Sequence, residues 1–370
     1  MGQSLKKKYQ IVVDQNMPGV EELFDDFAEI VRQDGRLIDN DILRNTDALL
    51  CRSITQVNQS LLKNTKVKFV GTATIGIDHL DVNWLESQNI SWSNAAGCNA
   101  SAVAQYVLSA MAYWCKVRSR QIKNLRVGIV GAGNVGSELA RCLEKLGIKY
   151  LLCDPPLQSQ GDQRPMVSMQ AIYDCDVISL HVPMIKGGNY TTKYLVGKTE
   201  LQKLRNGQLL INASRGAVVE NQALNVYLSE SNNADIVLDV FENEPNISTK
   251  LVDKCLLATP HIAGHTLEGK LRGTWMIYQA FCQYFELELN KKENDLYPQK
   301  NEIILKNILE EDLLAIYDIR SNAEVLRLNN EESIAVKFDR LRKNATQLAS
   351  GKIRRDYSGW TYIGKHALPF

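Results

Sequence analysis

The feature that most constrains this chain is a glycine-spaced string, Gly131-Ala-Gly133-Asn134-Val135-Gly136, set between two contrasting patterns. The residues before it, Arg126–Val130, form a short apolar run that reads as a buried strand, and residues 135–146 repeat apolar side chains at helical spacing. A G-x-G-x-x-G string alone is common and could be an ordinary turn. Between a strand and a helix, and followed by a second strand-like run over 149–153 that ends at Asp154, it reads as a dinucleotide-binding turn. In such a turn the first glycine permits a tight bend, the second lets the backbone approach a pyrophosphate, and the third lets helix and strand touch. The helix N-terminus then offers N–H groups and partial positive charge to the phosphates. Asp154 suits ribose hydroxyls and repels a 2′-phosphate, and Pro155 and Pro156 follow it where a basic residue could receive one. The expected cofactor is therefore NAD rather than NADP.

The remainder of the chain agrees with an enzyme built on such sheets. With 370 residues it exceeds one ordinary domain, and 45% hydrophobic with 23% charged residues is a globular profile. Lys plus Arg (43) nearly cancel Asp plus Glu (42), so no global field draws in nucleic acid or a membrane surface, and an anionic ligand needs a local cluster of donors. The cysteines (51, 98, 115, 142, 153, 175, 255, 282) form no C-x-x-C pair and no zinc-ligand spacing, so reduced thiols and no metal are expected. The opening Met-Gly-Gln-Ser-Leu-Lys-Lys-Lys lacks the apolar run of a secretion signal, and no stretch approaches the ~18 apolar residues of a membrane span. A cytoplasmic protein with no membrane or nucleic-acid partner is the expectation.

Short apolar runs at 9–13, 48–51 and 67–71 alternate with helical patterns at 20–31 and 57–62, which argues for a parallel sheet covered by helices. A long apolar helix over 100–115 leads to the glycine string, and further strands are expected at 177–180, 208–211, 236–240 and 256–259. A long amphipathic helix at 267–289 and a polar linker near 290–300 follow. The tail has helical patterns at 304–317 and 331–348 and a strand-like piece at 360–363; it is small for a core of its own. The expected fold is α/β, with two doubly wound, Rossmann-like parallel-sheet lobes and a small C-terminal α/β dimerisation domain. A substrate lobe would take residues 1–102 and 265–290, an NAD lobe 103–264, and the dimerisation domain 291–370.

Three charged or titratable residues stand just past apolar runs: Arg215 after 209–214, Glu244 after 237–243 and His261 after 256–260. Ligands bind beyond the carboxyl ends of strands in open α/β sheets, so these residues could converge. Taken singly, a Ser-Arg-Gly leaving a strand, a Glu-Pro turn and a His beside Pro each have a merely structural reading. Together, Asn212-Ala-Ser-Arg215-Gly, Asp239-Val-Phe-Glu-Asn-Glu244-Pro and Thr259-Pro-His261-Ile-Ala-Gly264 resemble, in order and spacing, the signatures of the D-2-hydroxyacid dehydrogenases.

That resemblance implies Arg215, Glu244 and His261 as a catalytic triad. It implies cofactor contacts from Gly131, Gly133, Asn134, Val135, Gly136, Asp154, Val182, Ala213, Ser214, Asp239 and Gly264. Oxidising a 2-hydroxy acid removes a hydride from C2 and a proton from its hydroxyl. A neutral His can take the proton, a carboxylate can orient that His, and an Arg fork can hold the substrate carboxylate. Further strings, among them Asp14-Gln-Asn-Met-Pro18, Arg52-Ser-Ile-Thr55, Phe69-Val-Gly-Thr-Ala-Thr74, Gly97-Cys-Asn99, Cys153-Asp-Pro-Pro156, His261-Ile-Ala-Gly-His-Thr-Leu-Glu-Gly-Lys270 and Phe338-Asp-Arg-Leu-Arg-Lys-Asn344, resemble one branch of the family. Its substrate is a phosphorylated 2-hydroxy acid on the route to pyridoxal 5′-phosphate. The resemblance adds Arg52, Ser53, Thr74 and His265 as substrate contacts and a homodimer formed through the C-terminal domain. Arg340 and Arg342 are candidates to reach the phosphate across that dimer. His265 stands where the branch usually carries Tyr, and Gln105 where Glu is common. Two alternatives stay open: a dehydrogenase of phosphoglycerate or of hydroxypyruvate and glyoxylate, and an NAD(H)-sensing binding protein.

Overall fold

The computed structural model describes residues 9–230, 233–297, 302–304, 308–327, 332–346, 353–356 and 361–363. The chain divides into two units, one of Met1–Asn99 with Leu267–Lys300 and the other of Ala100–Thr266 with Asn301–Phe370.

In the first unit, β1 (Tyr9–Asp14), β2 (Ala28–Gln33), β3 (Ala48–Cys51), β4 (Phe69–Thr72) and β5 (Ser91–Asn94) form a parallel sheet in the order β2-β1-β3-β4-β5. Successive side chains enter opposite cores, as a strand covered on both faces requires. Ile11, Val13, Leu50 and Phe69 join Ile277 and Phe281 of the Leu267–Tyr284 helix on one face. Val12, Leu49, Cys51 and Val70 meet Leu62 and Leu85 on the other.

Residues 20–31 depart from the expected single helix. The helix stops at Phe24, and β2 pairs with β1 in the register Ile11↔Ile30 and Val12↔Val31. Asp25 and Asp26 sit at the helix C-terminus, where the helix dipole disfavours them, and the β-branched Ile30 and Val31 suit a sheet edge. The helix expected over 267–289 ends at Tyr284; Glu286 turns left-handed (φ 53°), and the Leu287 N–H closes back on the Cys282 carbonyl at 2.8 Å.

In the second unit, β6 (Arg126–Val130), β7 (Lys149–Cys153), β8 (Val177–Leu180), β9 (Leu209–Asn212), β10 (Asp235–Leu238) and β11 (Leu257–Ala258) form a parallel sheet in the order β11-β10-β9-β8-β6-β7. Val127, Ile129, Leu209, Ile211 and Val237 pack beneath the Ala100–Val117 and Asn134–Lys145 helices. Val130, Ile178, Leu210, Ile236 and Leu238 pack on the opposite face with Leu224 and Leu251.

The tail uses both of these cores. Leu309, Leu313 and Ile316 of the Leu309–Ile316 helix join the first, whereas Leu326 and Phe338 join the second. A helix pattern at 304–317 thus becomes a helix from Leu309, with β12 (Glu302–Ile304) before it; β12 pairs in parallel with β13 (Thr361–Ile363). The Arg320–Arg327 helix was not expected, and the pattern at 331–348 is a helix over Ile334–Lys343. Parts of the expected elements, at 298–300, 305–307, 331, 347–348 and 360, lie outside the described residues.

Candidate active site

Because all six strands of the β6–β11 sheet run parallel, their carboxyl ends share one edge, and the residues singled out in this half of the sequence lie along it. The glycine turn follows β6. Gly131 has φ of 92°, and a Cβ there would stand 2.7 Å from the carbonyl of His181, against the backbone that leads into Val182. A Cβ on Gly136 would stand 1.9 Å from the Gly131 carbonyl oxygen, so helix and turn touch only because Gly136 lacks one. Gly133 faces open space, with nothing within 4 Å of an added Cβ. It is the N-cap of the Asn134–Lys145 helix, and no side chain caps it, which leaves the N–H groups around exposed Asn134 and half-buried Val135 to bind an anion. Asp154, after β7, accepts the Ala132 N–H at 2.8 Å and the Leu157 N–H at 3.1 Å. This turn fits a dinucleotide: an open approach at Gly133, free donors, and a carboxylate at the next strand end.

Beyond β9, Asn212 organises Ala213 and Ser214: its carboxamide oxygen accepts both the N–H and the hydroxyl of Ser214, and its NH2 donates to the Arg215 carbonyl. Gly216 lies so near the next loop that a Cβ would be 1.9 Å from the Phe241 carbonyl oxygen. The loop of Arg215 therefore abuts the loop of Glu244. Glu244 accepts the Phe241 N–H at 2.8 Å through one oxygen and meets His261 Nδ1 at 2.7 Å through the other. Burial pushes the Glu244 carboxyl up, but the charge and hydrogen bond of His261, the Phe241 N–H and the charge of Arg342 outweigh it and hold the group below its ordinary value. An ionised Glu244 accepts only, so Nδ1 of His261 carries a proton, and in the neutral ring the lone pair is then on Nε2.

His261 has a left-handed backbone (φ 56°), unusual outside glycine. Asp239, fully buried after β10, holds the loop that follows. It accepts the N–H groups of Ile262 (2.7 Å) and Ala263 (2.9 Å) and the Thr259 hydroxyl (2.7 Å). Because Thr259 donates to Asp239, the 2.7 Å contact with Tyr106 has the tyrosine as donor, which ties the Ala100–Val117 helix to this loop. Burial raises the Asp239 carboxyl above its ordinary value, opposed by the charge of His261 and by these donors. Gly264 and His265 complete the turn, closed by the His265 N–H on the Ile262 carbonyl at 2.9 Å.

In the first unit, Arg52 and Ser53 follow β3 and Thr74 follows the adjacent β4. Thr74 donates to the Gly76 carbonyl at 3.0 Å, so in the 2.8 Å contact of the two threonines Thr72 is the donor. The Thr72 oxygen then accepts from buried His79 at 2.9 Å. Burial pushes the His79 imidazole down to about 4, against the charge of Asp78, which keeps it neutral. Lys270, on the Leu267–Tyr284 helix, is lowered to about 8 by burial and by the charge of Arg52.

Sequence reasoning did not find Tyr106, Thr72, His79 or the contact of the tail with Phe241 and Glu244 of its own chain. Phe338 meets the Phe241 ring edge-on at 6.4 Å, and Arg342 of the same helix acts on Glu244 of its own chain, whereas Arg340 pairs with Glu332 at 2.7 Å. Tyr106, Phe338 and Arg342 meet partners far along the chain, which leaves no local signal. All eight cysteines are buried free thiols, and no helix among the described residues is long and apolar enough to cross a membrane.

A glycine turn at one strand end, with Arg, Glu and His at three others, defines an NAD-dependent dehydrogenase acting on the CH–OH group of a 2-hydroxy acid. The family model of the D-isomer specific 2-hydroxyacid dehydrogenase NAD binding domain matches residues 101–263. An NAD+-bound 3-phosphoglycerate dehydrogenase of Entamoeba histolytica has the same fold, with a TM-score of 0.65 at 22% identity over 77% of this chain and 99% of that one. The erythronate-4-phosphate dehydrogenase of Marinobacter nauticus is 44% identical over 90% of this chain and 91% of its own, and that of Proteus mirabilis 42% identical over the same shares. The chain belongs to the family of the erythronate-4-phosphate dehydrogenases.

Proposed function

We propose that this protein oxidises 4-phospho-D-erythronate at C2 to 3-hydroxy-2-oxo-4-phosphooxybutanoate, with NAD as cofactor, in the biosynthesis of pyridoxal 5′-phosphate. The observation that carries this reading is the identity to erythronate-4-phosphate dehydrogenases across nine-tenths of the chain, 44% for the relative from Marinobacter nauticus. The site's chemistry agrees with it.

Bound NAD supplies the acceptor for the C2 hydride. The chain's own residues handle the proton and the charge. Nε2 of His261 takes the proton of the C2 hydroxyl as the C2–O bond becomes a carbonyl. The imidazolium that results is stabilised by Glu244 across the 2.7 Å bond at Nδ1. Arg215 holds the substrate carboxylate through two parallel N–H donors. Asp239, just past β10, and Gly264, in the turn after His261, are assigned to the nicotinamide half, and Asp154 to the adenosine ribose.

Arg52, Ser53 and Thr74 of the first unit and His265 of the second are the donors we assign to the substrate. Lys270 adds a cation beside Arg52 for a substrate carrying both carboxylate and phosphate. The same reading makes the protein a cytoplasmic homodimer formed through its C-terminal region. Trapping the product with a hydrazine tests the reaction. A hydrazone of the 2-oxo acid is expected, and a 3-oxo product would overturn oxidation at C2.

A further inference from the structure

We propose that Arg354, in the C-terminal segment, is a positioning residue for His261. The inference rests on the dehydrogenase role assigned to His261 above. Arg354 is only 1% exposed, and its guanidinium lies over the Tyr317 ring at 3.9 Å. Its Nη1 donates to the Ile262 carbonyl at 2.5 Å and its Nη2 to the Ala263 carbonyl at 2.9 Å. These are the two residues whose N–H groups Asp239 accepts.

All four backbone polar groups of the dipeptide after His261 are thus engaged by charge, the N–H groups by a carboxylate and the carbonyls by a guanidinium. Charge-assisted bonds of this kind are about twice as strong as neutral ones and are directional. A buried guanidinium that met no acceptor would be costly, so the segment around Arg354 is held to the loop as firmly as the loop is held to it. The clamp has something to hold. His261 is left-handed at φ 56°, a conformation disfavoured for a non-glycine residue that persists only where the surroundings enforce it. Release of the Ile262 and Ala263 carbonyls would let His261 relax toward an ordinary backbone and turn Nδ1 away from Glu244. The guanidinium fork fits two neighbouring carbonyls, and a single ammonium does not.

The test compares wild type with Arg354→Lys and Arg354→Met. Both variants should lose about 100-fold in kcat, the scale of a misplaced catalytic group, with far less change in KM for the hydroxy acid. Proton NMR of the substrate-free protein supplies a reading independent of turnover: the far-downfield Nδ1–H signal of the His261–Glu244 bond should be present in wild type and lost in both variants. Arg354→Lys keeps the charge, and thermal melts count its folded fraction, so a fall in kcat beyond the loss of folded protein marks positioning. Retention of wild-type kcat and of the downfield signal by Arg354→Lys would overturn the proposal. So would losses that merely follow the unfolded fraction. Because the signal needs no substrate, it decides this proposal even if wild type fails to oxidise any acid, a result that would count against the function assigned above.

Discussion

Nδ1 of His261 lies 2.7 Å from Oε2 of Glu244, and the other Glu244 oxygen is held by the Phe241 N–H. The carboxylate therefore has one orientation and fixes one imidazole tautomer. Glu244→Gln keeps the shape but offers no charge to the imidazolium, and its amide can present a donor to Nδ1. We expect kcat to fall by about 10²- to 10⁴-fold with a much smaller change in KM. Steady-state kinetics on the folded variant checks this; an unchanged kcat would remove Glu244 from the mechanism.

Arg215 and Lys differ here in shape more than in charge. Arg215→Lys should lower kcat/KM by about 10- to 100-fold, the value of one charge-assisted hydrogen bond lost at the carboxylate. Kinetics against substrate concentration separates the two terms. A variant as active as wild type would show that no two-pronged grip operates.

The glycine turn separates space for ligand from space for folding. Gly133→Ala adds a methyl where nothing lies within 4 Å, so it should fold normally yet bind NAD weakly. Gly136→Ala places that methyl 1.9 Å from the Gly131 carbonyl oxygen and should damage the fold itself. Melting curves with NAD titration calorimetry distinguish them, and normal NAD affinity in Gly133→Ala would contradict the approach assigned to the pyrophosphate.

Much of this site is legible in the sequence, for a physical reason. A strand, its terminal loop and the residue after it are adjacent in the chain, so Asp154, Arg215 and His261 each stand beside the apolar run that positions them. The expected runs at 126–130, 149–153 and 177–180 coincide with β6, β7 and β8. What stayed hidden depends on distant partners. β2 looks helical until β1 supplies its edge, and Tyr106 is one apolar-face residue among many until Thr259 meets it. Nothing near Arg354 in the chain announces the carbonyls of Ile262 and Ala263, and Gly216 shows its purpose only against Phe241.

His79 gives the fold an acid-sensitive point. Its imidazole takes a proton only near pH 4 when folded, against 6.5 ordinarily, so the unfolded chain gains that proton first as pH falls. The stability it supports is whole above pH 6.5 and is lost as pH drops from 6.5 to about 4, by at most about 2 kcal/mol at pH 5. His79→Gln can still donate to Thr72 but does not titrate, so its stability should fall less between pH 7 and pH 5. Denaturant unfolding at both values checks this, and equal losses in both proteins would contradict a neutral, buried His79.

The central claim is the substrate, and NADH absorbance tests it most directly. Purified protein with NAD should be given 4-phospho-D-erythronate, 3-phosphoglycerate and glycerate in parallel, with a 2-oxo acid added to turn over any retained NADH. The account predicts turnover on 4-phospho-D-erythronate well above the other two. Preferred turnover of 3-phosphoglycerate or glycerate would contradict it, and silence on all three alongside tight NADH binding would point instead to a protein that senses the cofactor.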